Sequence, residues 1–514
     1  MLQQELSRFD QLYLQENNWP IDEFYQWETR HFSKLSSQQK IECLIEFSAV
    51  STALILWRKL HLLLLGSEHI DLTKLTTLFN ALPFLQQNML YCQLMRASFV
   101  GQRVSMDSAH LYRMMIEKFC LQSASLTHVN PLIGNGNEDI VVIITNQFLT
   151  TQHGPTLTTL NYASALKALG KHPVVICCTS VPKPSHYLCP VPQPIFFGSV
   201  LDEYFVADTL FDLDCGKTHP HAGGNVVKCW DELFDFIQVT PMDFEEHLVD
   251  LINVINQLNP RYILGVGGVN PVLEFIAQSR PVLNVPCVTS LITPIYAVPV
   301  LHRELKQRDL ERIEQLNLAH TVLTSRLPFR LRKFSCKKTS KVTDSVINFA
   351  IVGYRLEFEI RDDFIQTLTA IKSTFPNSAF VFIGPDTIEQ LSEELKACSY
   401  FSGKVSNAID LIARCHFMLN PKRQGGGTSA IEALSLGIPV LTEAYGDVYQ
   451  YIGDDFVFSS DQDRLDFIQR YMTDAEFETA YIQTCLEAAV KATDSSAIVK
   501  QLMLDYDSYI YQLQ

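Results

Sequence analysis

The sequence predicts an α/β protein with two doubly wound, Rossmann-like units facing a cleft, preceded by an all-α N-terminal domain. Three observations carry that expectation. Short continuous apolar runs alternate with helix-period segments from about residue 138 onward, the texture of parallel strands buried on both faces and their crossover helices. The alternation starts twice, at Ile140-Val141-Val142-Ile143-Ile144 and again at Phe349-Ala350-Ile351-Val352-Gly353. Before the first start, apolar residues recur at spacings of three and four, with few Gly or Pro to interrupt them.

Composition bounds what such a chain does. It has 514 residues and a formal net charge of −15 from 41 basic and 56 acidic side chains; 47% of residues are hydrophobic and 19% charged. At about 100–200 residues per domain, this length corresponds to two to four domains. The acidic excess excludes a broad basic surface for nucleic acid, but a local phosphate site needs only a few donors. The 13 cysteines are dispersed, with Cys177-Cys178 the only close pair and no CxxC. That pattern reads as reduced thiols and a cytoplasmic location. The N-terminus lacks the basic and apolar regions of a signal peptide. The most lipid-like stretch, Ala49–Gly66, carries Arg58, Lys59 and His61. It falls short of the about 20 clean apolar residues that a span needs, so it reads as a buried helix.

Residues 1–130 form the expected helical domain, with Leu44, Phe47, Leu54, Trp57 and later Leu111, Met114, Met115 and Phe119 on its buried faces. The breakers Asn130-Pro131 and Gly134-Asn135-Gly136-Asn137 mark its end. The first α/β unit is placed at 131–335. Its elements are a strand at Ile140–Ile144, a helix from Thr156 to Leu169, and strands at Pro173–Ile176, Tyr262–Val266, Val282–Val285, Val288–Ser290 and Thr321–Thr324. The second is placed at 336–485. It has strands at Phe349–Val352, Ala379–Ile383, Tyr400–Phe401, Phe417–Leu419 and Pro439–Thr442, and helices at Asp362–Phe375, Thr387–Ala397, Ala408–Arg414 and Ser429–Leu436. Residues 486–514 form a helical tail. Ligands of such sheets bind beyond the carboxyl ends of the strands, so the loops there are the candidates for chemistry.

The most informative loop is Asn420-Pro421-Lys422-Arg423-Gln424-Gly425-Gly426-Gly427-Thr428-Ser429, leading into a helix that carries Glu432. Three glycines let a ligand approach the backbone, and a helix start offers N–H groups to phosphate. Thr428 or Ser429 can cap the helix and offer a hydroxyl. Lys422 and Arg423 add positive charge, and Glu432 is suited to ribose hydroxyls. The competing explanation is a tight packing turn with solvated basic residues. A P-loop is excluded, because no GK[ST] follows four intervening residues.

The segment GGGTSAIEALSLGIPVLT resembles the donor site of nucleotide-sugar glycosyltransferases with the GT-B fold. It is similar to the retaining family-4 type and to the family-41 type that includes bacterial cytoplasmic protein N-glycosyltransferases. The likeness covers roughly residues 138–480. Family 4 carries two glutamates separated by seven residues; Glu432 matches the second, and Gln424 stands in place of the first. The family-41 opening LNP-x-x-x-G-x-T fits Leu419-Asn420-Pro421 through Thr428 about as well, and the bacterial members also begin with an all-helical domain. The resemblance places Gln424, Gly425, Gly426, Gly427, Thr428, Ser429 and Glu432 on the donor and assigns Arg355, in Val352-Gly353-Tyr354-Arg355-Leu356, to the diphosphate. Lys404, in Phe401-Ser402-Gly403-Lys404-Val405, belongs to the loop that holds the nucleotide base in such enzymes.

The loop after the first strand of the first unit, Asn146 to Thr156, holds His153. Imidazole titrates in the range of a general base, so His153 is the candidate base, with Asn146 beside it. The alternative is a histidine that only ties its loop or meets donor phosphate. Asn270, after the glycines of Gly265-Val266-Gly267-Gly268, is a candidate acceptor contact or a plain turn residue. The cluster Arg330, Arg332, Lys333, Lys337 and Lys338 is read as a solvated connection. No HExxH, His/Cys cluster or DxD stands out as a metal site. Metal-independent transfer with no cofactor is therefore expected, the nucleotide sugar entering as substrate. The expected function is transfer of a sugar, from a donor expected to be uridine-linked, to a protein or glycan acceptor. An inactive GT-B partner or chaperone subunit and a sugar-nucleotide epimerase are the alternatives. The helical domain is the expected contact for an acceptor, a partner chain or an oligomer.

Overall fold

The computed structural model describes residues 108–513 apart from 135, 152, 179–197, 200–207, 240–243, 319–321, 332–345 and 406, together with scattered positions between 34 and 91. The Leu44–Trp57 pattern, Ala49–Gly66 and most of the predicted helical domain lie outside the described residues, as do Arg332, Lys333, Lys337 and Lys338.

The first sheet has ten strands: β1 (Asn137–Thr145), β2 (His172–Cys178), β3 (Thr209–Asp212), β4 (Lys217–Pro220), β5 (Val226–Cys229), β6 (Glu232–Val239), β7 (Pro260–Val266), β8 (Leu283–Val285), β9 (Val298–Leu301) and β10 (Leu323–Thr324). Their order is β10-β9-β8-β7-β1-β2-β6-β5-β3-β4. From β10 to β6 every pairing is parallel. Chain order reverses at β1, which lies between β2 and β7. The second sheet contains β11 (Ile347–Val352), β12 (Ser378–Ile383), β13 (Ser399–Phe401), β14 (Phe417–Leu419) and β15 (Val440–Leu441). It is wholly parallel in the order β13-β12-β11-β14-β15, so it reverses between β11 and β14. Each reversal opens a crevice beyond the strands' carboxyl ends.

Period-two patterning explains how the sheets pack. Along β1, Val141 and Ile143 face one core while Val142 and Ile144 face the other. Along β11, Ala350 and Val352 join the same core as Val141, and Phe349 and Ile351 join a third. One apolar cluster thus runs through the inner layers of both units.

The helices used below are α1 (Ser108–Ala124), α2 (Gly154–Ala168), α3 (Phe244–Leu258), α4 (Pro271–Ala277), α5 (Asp362–Thr374), α6 (Gly427–Ser435), α7 (Gly446–Ile452), α8 (Ala475–Thr493) and α9 (Ser495–Leu513). The predicted boundary at 485/486 falls inside α8. The following helix, α9, returns to the first unit, where Tyr506 donates to the Pro281 carbonyl and Asp507 accepts from Arg261 and Tyr262. At the other end, Tyr112 of α1 donates to the buried Glu274 of α4 at 3.0 Å. Among the described residues, no helix is long and apolar enough to cross a membrane.

Several elements differ from expectation. Val288–Ser290 is not a strand: the Thr289 N–H goes to a side-chain carboxylate instead of a ladder. The strand in that part of the sheet is β9, whose Pro299 hid it from a reading that treats proline as a strand breaker. The helix expected from Thr387 begins only at Glu393, where Ser392 caps it by accepting from the Leu395 N–H. The sequence reading also passed over β3–β6 and α3.

Candidate functional site

The glycine loop sits at the reversal of the second sheet, leaving β14 and entering α6. Gly426, in the left-handed region at φ 85°, is the N-cap of α6, and no side chain caps that helix. The expectation that Thr428 or Ser429 caps it is corrected: both lie inside the first turn, because the chain enters through a glycine that has no side chain to offer. Their hydroxyls and the first-turn N–H groups are left to meet a ligand. A Cβ on Gly426 would lie 2.6 Å from Arg423 Nη2, so the loop also needs glycine there to pack.

Arg423 is not a free phosphate ligand. Its side chain is 4% exposed and donates to Asn420 Oδ1 at 3.1 Å, to the Val352 carbonyl at 2.6 Å and to Glu359 at 2.8 Å. It is a buried strut joining the ends of β11 and β14. Arg355 is also partly used inside the protein. It pairs with Glu359 at 2.8 Å and donates to the Gln424 carbonyl at 3.0 Å, and burial lowers its pKa from the ordinary value. Arg355 thus lies beside the glycine loop with part of its charge met by Glu359. Lys422 is exposed, 3.8 Å from Glu443 and 5.4 Å from the centre of the Tyr445 ring. Lys404 is exposed at its loop, after β13. Glu432 is fully buried one turn into α6. Gln424 is half-buried, and its Oε1 is shielded without a hydrogen-bond partner.

The sequence reading missed Asp447, the second residue of α7. It is 1% exposed and accepts from the Gly425 N–H at 2.8 Å and from the N–H and hydroxyl of Thr289 at 2.9 and 2.6 Å. Burial raises its pKa from the ordinary value, and those hydrogen bonds offset part of the rise. The signal that could have found it is Gly446-Asp447, just beyond the carboxyl end of β15. Gly446 is fixed at φ 73°, and a Cβ there would lie 1.9 Å from the Arg423 carbonyl.

At the reversal of the first sheet, Asn146 and Gln147 follow β1 and are buried with Oδ1 and Oε1 unpartnered. Gly267, after β7, brings its backbone close enough that a Cβ would lie 3.4 Å from Asn146 Oδ1. Asn270 caps α4, its Oδ1 accepting from Val272 and Leu273, while its Nδ2 has no partner. It therefore plays the turn role and keeps a donor to spare. His153 is the N-cap of α2 without a capping hydrogen bond. Its Nδ1 lies 3.0 Å from Thr156 Oγ1, and its Nε2 is shielded and unpartnered. Burial lowers its pKa from 6.5 to about 4, so the ring is neutral near pH 7. Arg330 is not merely solvated: it pairs with Glu232 and lies over Trp230, 4.6 Å from the ring centre. Among the described residues, no group of three or more His, Cys, Asp or Glu is placed to hold a metal ion.

No family model matches the sequence, and no curated protein does. Solved structures do. A mutant of the Thermobaculum terrenum O-GlcNAc transferase aligns with 93% of this chain and 88% of its own, at 11% identity and a TM-score of 0.53. A glycosyltransferase from Rickettsia africae aligns with 73% of this chain and 99% of its own (10% identity, TM-score 0.47). The pneumococcal O-GlcNAc transferase GtfA, solved with UDP and GlcNAc, aligns with 73% and 100% (10%, 0.44). The two sheets and the cleft between them form the GT-B architecture, and the solved structures that this chain resembles are GT-B glycosyltransferases.

Proposed function

We propose that this chain is a glycosyltransferase that moves a sugar from a nucleotide-sugar donor, uridine-linked, to an acceptor held by the first unit. The observation that carries the reading is the uncapped N-terminus of α6, at the reversal of the second sheet behind a glycine loop. In this reading the donor diphosphate takes the first-turn N–H groups of α6 and the Thr428 and Ser429 hydroxyls. Arg355 holds the loop through the Gln424 carbonyl and adds positive charge. Lys422 and Lys404, both exposed, approach the phosphates from solvent; the ribose contact expected of Glu432 is not kept, because its side chain is fully buried in α6. These donors stabilise the leaving diphosphate without a metal. Asn146 and Asn270 orient the acceptor, and neutral His153 accepts its proton through Nε2. The shared fold with an O-GlcNAc transferase makes N-acetylglucosamine the first sugar to try and a protein side chain the first acceptor. The reading also includes cytoplasmic action and acceptor or partner contacts through the N-terminal segment.

A second reading, a GT-B subunit that binds without turnover, draws on two observations. Gln424 stands where the family-4 resemblance expects a glutamate, and the Gly425 N–H and Arg355 already have partners inside the protein. A panel of UDP-sugars separates the two. The enzyme reading expects UDP release from at least one donor, with Thr428→Val weakening UDP binding about ten-fold, the worth of one hydrogen bond to a charged group. UDP binding without release from any donor would favour the second reading, and no binding at all would sink both.

A further inference from the structure

The boundary between the two units is crossed inside the cleft by one buried carboxylate. Asp447 belongs to the second unit, and Thr289, which gives it both an N–H and a hydroxyl, belongs to the first. The other oxygen of the same carboxylate takes the Gly425 N–H at 2.8 Å. One side chain therefore touches the opposite unit and the glycine loop at once.

Both anchors of this bridge are stiff. On the first unit, Arg303 Nε donates to the Thr289 carbonyl at 2.9 Å, and the Arg303 guanidinium is gripped by Asp309 at 2.5 and 2.8 Å. Asp309 is itself held by the Lys306 N–H at 2.8 Å. Arg303 and Asp309 side chains are 5% and 6% exposed. On the second unit, Gly446 packs against the Arg423 carbonyl, and buried Arg423 is bonded to two strand ends. Neither anchor yields without breaking buried charge-assisted bonds. A relative movement of the units is therefore expressed where the connection is softest, at the Asp447 carboxylate and the loop residue it holds.

We propose that Thr289 and Asp447 form a latch that couples closure of the cleft to the conformation of the Gln424–Ser429 loop, with Thr289 acting as a positioning residue from the opposite unit. With the units together, Asp447 is oriented by Thr289 and fixes the Gly425 N–H. With them apart, the carboxylate loses two of its three donors and the loop loses its fixed partner. Coupling of this kind is reciprocal, so a ligand that favours the ordered loop also favours closure. The consequence for donor binding rests on the glycosyltransferase reading; the coupling between Thr289 and the loop does not.

Amide hydrogen exchange on the full chain tests the latch. In Thr289→Val, which keeps the backbone N–H and removes the hydroxyl, exchange over residues 424–429 is expected to rise about five-fold, the equivalent of one lost hydrogen bond. Exchange over β12 should stay unchanged. Thr289→Ser, which retains the hydroxyl, should restore the loop to wild-type protection. If Thr289→Val is poorly folded, Asp447→Asn provides the reciprocal measurement, in which exchange over residues 287–291 of the first unit rises. Loop exchange within two-fold of wild type in a folded Thr289→Val, or equal disturbance by Thr289→Ser, overturns the latch. With Asp447→Asn, unchanged exchange at 287–291 overturns it. UDP added to the wild type is read separately: failure to bind removes the donor reading and leaves the exchange result standing.

Discussion

The two crevices are built on the same plan and finished in opposite ways. Each lies where strand order reverses, and each faces a helix whose N-cap makes no capping hydrogen bond, His153 before α2 and Gly426 before α6. In the second crevice the charged groups are spent on one another: Arg423, Arg355, Glu359 and Asp447 brace three loops through short bonds. In the first, the polar groups are neutral and under-used, with Asn146 Oδ1, Gln147 Oε1, Asn270 Nδ2 and His153 Nε2 all shielded and without partners among the described residues. Buried polar atoms are nearly always paired in folded proteins. A tight braced loop suits a ligand whose charge and shape are fixed, as a diphosphate's are. A set of unpaired neutral donors and acceptors suits a hydroxyl- or amide-bearing group that completes them.

The largest expected contrast lies between two glycines. Gly446→Ala places a methyl group 1.9 Å from the Arg423 carbonyl at φ 73°, and both neighbours are backbone. Left-handed strain and overpacking together cost about 3–5 kcal/mol. Gly267→Ala in the first crevice meets only Asn146 Oδ1, at 3.4 Å, so the strain of φ 120° remains as its main cost, about 1–3 kcal/mol. Urea denaturation of both variants checks this. Equal losses would mean that the second crevice is no more tightly braced than the first.

A smaller contrast separates stability from activity. Arg423→Met removes three buried hydrogen bonds and leaves Glu359 with Arg355 as its remaining cation, a loss of about 3 kcal/mol. Asn146→Ala removes an oxygen that bonds to nothing, so its stability change is expected within about 1 kcal/mol, while sugar transfer falls at least about ten-fold if that oxygen meets the acceptor. Thermal melts paired with a UDP-release assay give both numbers. A strongly destabilised Asn146→Ala with unaltered transfer per folded molecule would assign Asn146 to the fold instead of the acceptor.

The same division decides what could be read in the sequence. Strand existence was legible wherever a run is buried on both faces, because Val141–Ile144 and Phe349–Val352 need apolar residues at every position. The position of the glycine loop followed from strand, glycines and helix in succession. The distribution of charge within it did not. Nothing local distinguishes Lys422, which is exposed, from Arg423, which is buried, since the difference comes from Val352 and Glu359, more than 60 positions away in the chain. Asp447 and Thr289 were missed for the same reason: their partnership spans 158 positions. Thr289 was also masked by a β-branched neighbour that imitates a strand. The strands β3–β5 escaped notice because each has only four residues, and β6 because its burial alternates along Glu232–Val239 and so calls for no continuous apolar run.

The smallest expected effect uses pH to set the crevices against each other. Burial lowers the pKa of His153 from 6.5 to about 4. As pH falls through about 6.5 the unfolded chain takes up a proton that the folded ring refuses. The stability that His153 contributes is therefore full above 6.5 and is lost progressively down to about 4. Asp447 works in the opposite direction. Its folded pKa is raised, chiefly by burial, so the fold holds its proton more firmly than the unfolded chain does and this carboxyl gains stability on acidification. Denaturation midpoints measured from pH 7 to 4 should thus fall less steeply in His153→Gln than in the wild type, and more steeply in Asp447→Asn. The ring proton signals of His153, followed by NMR, should remain those of neutral imidazole down to pH 5. A titration near 6.5 would mean that the imidazole is solvated, and the first crevice would then lose the neutrality that separates it from the second.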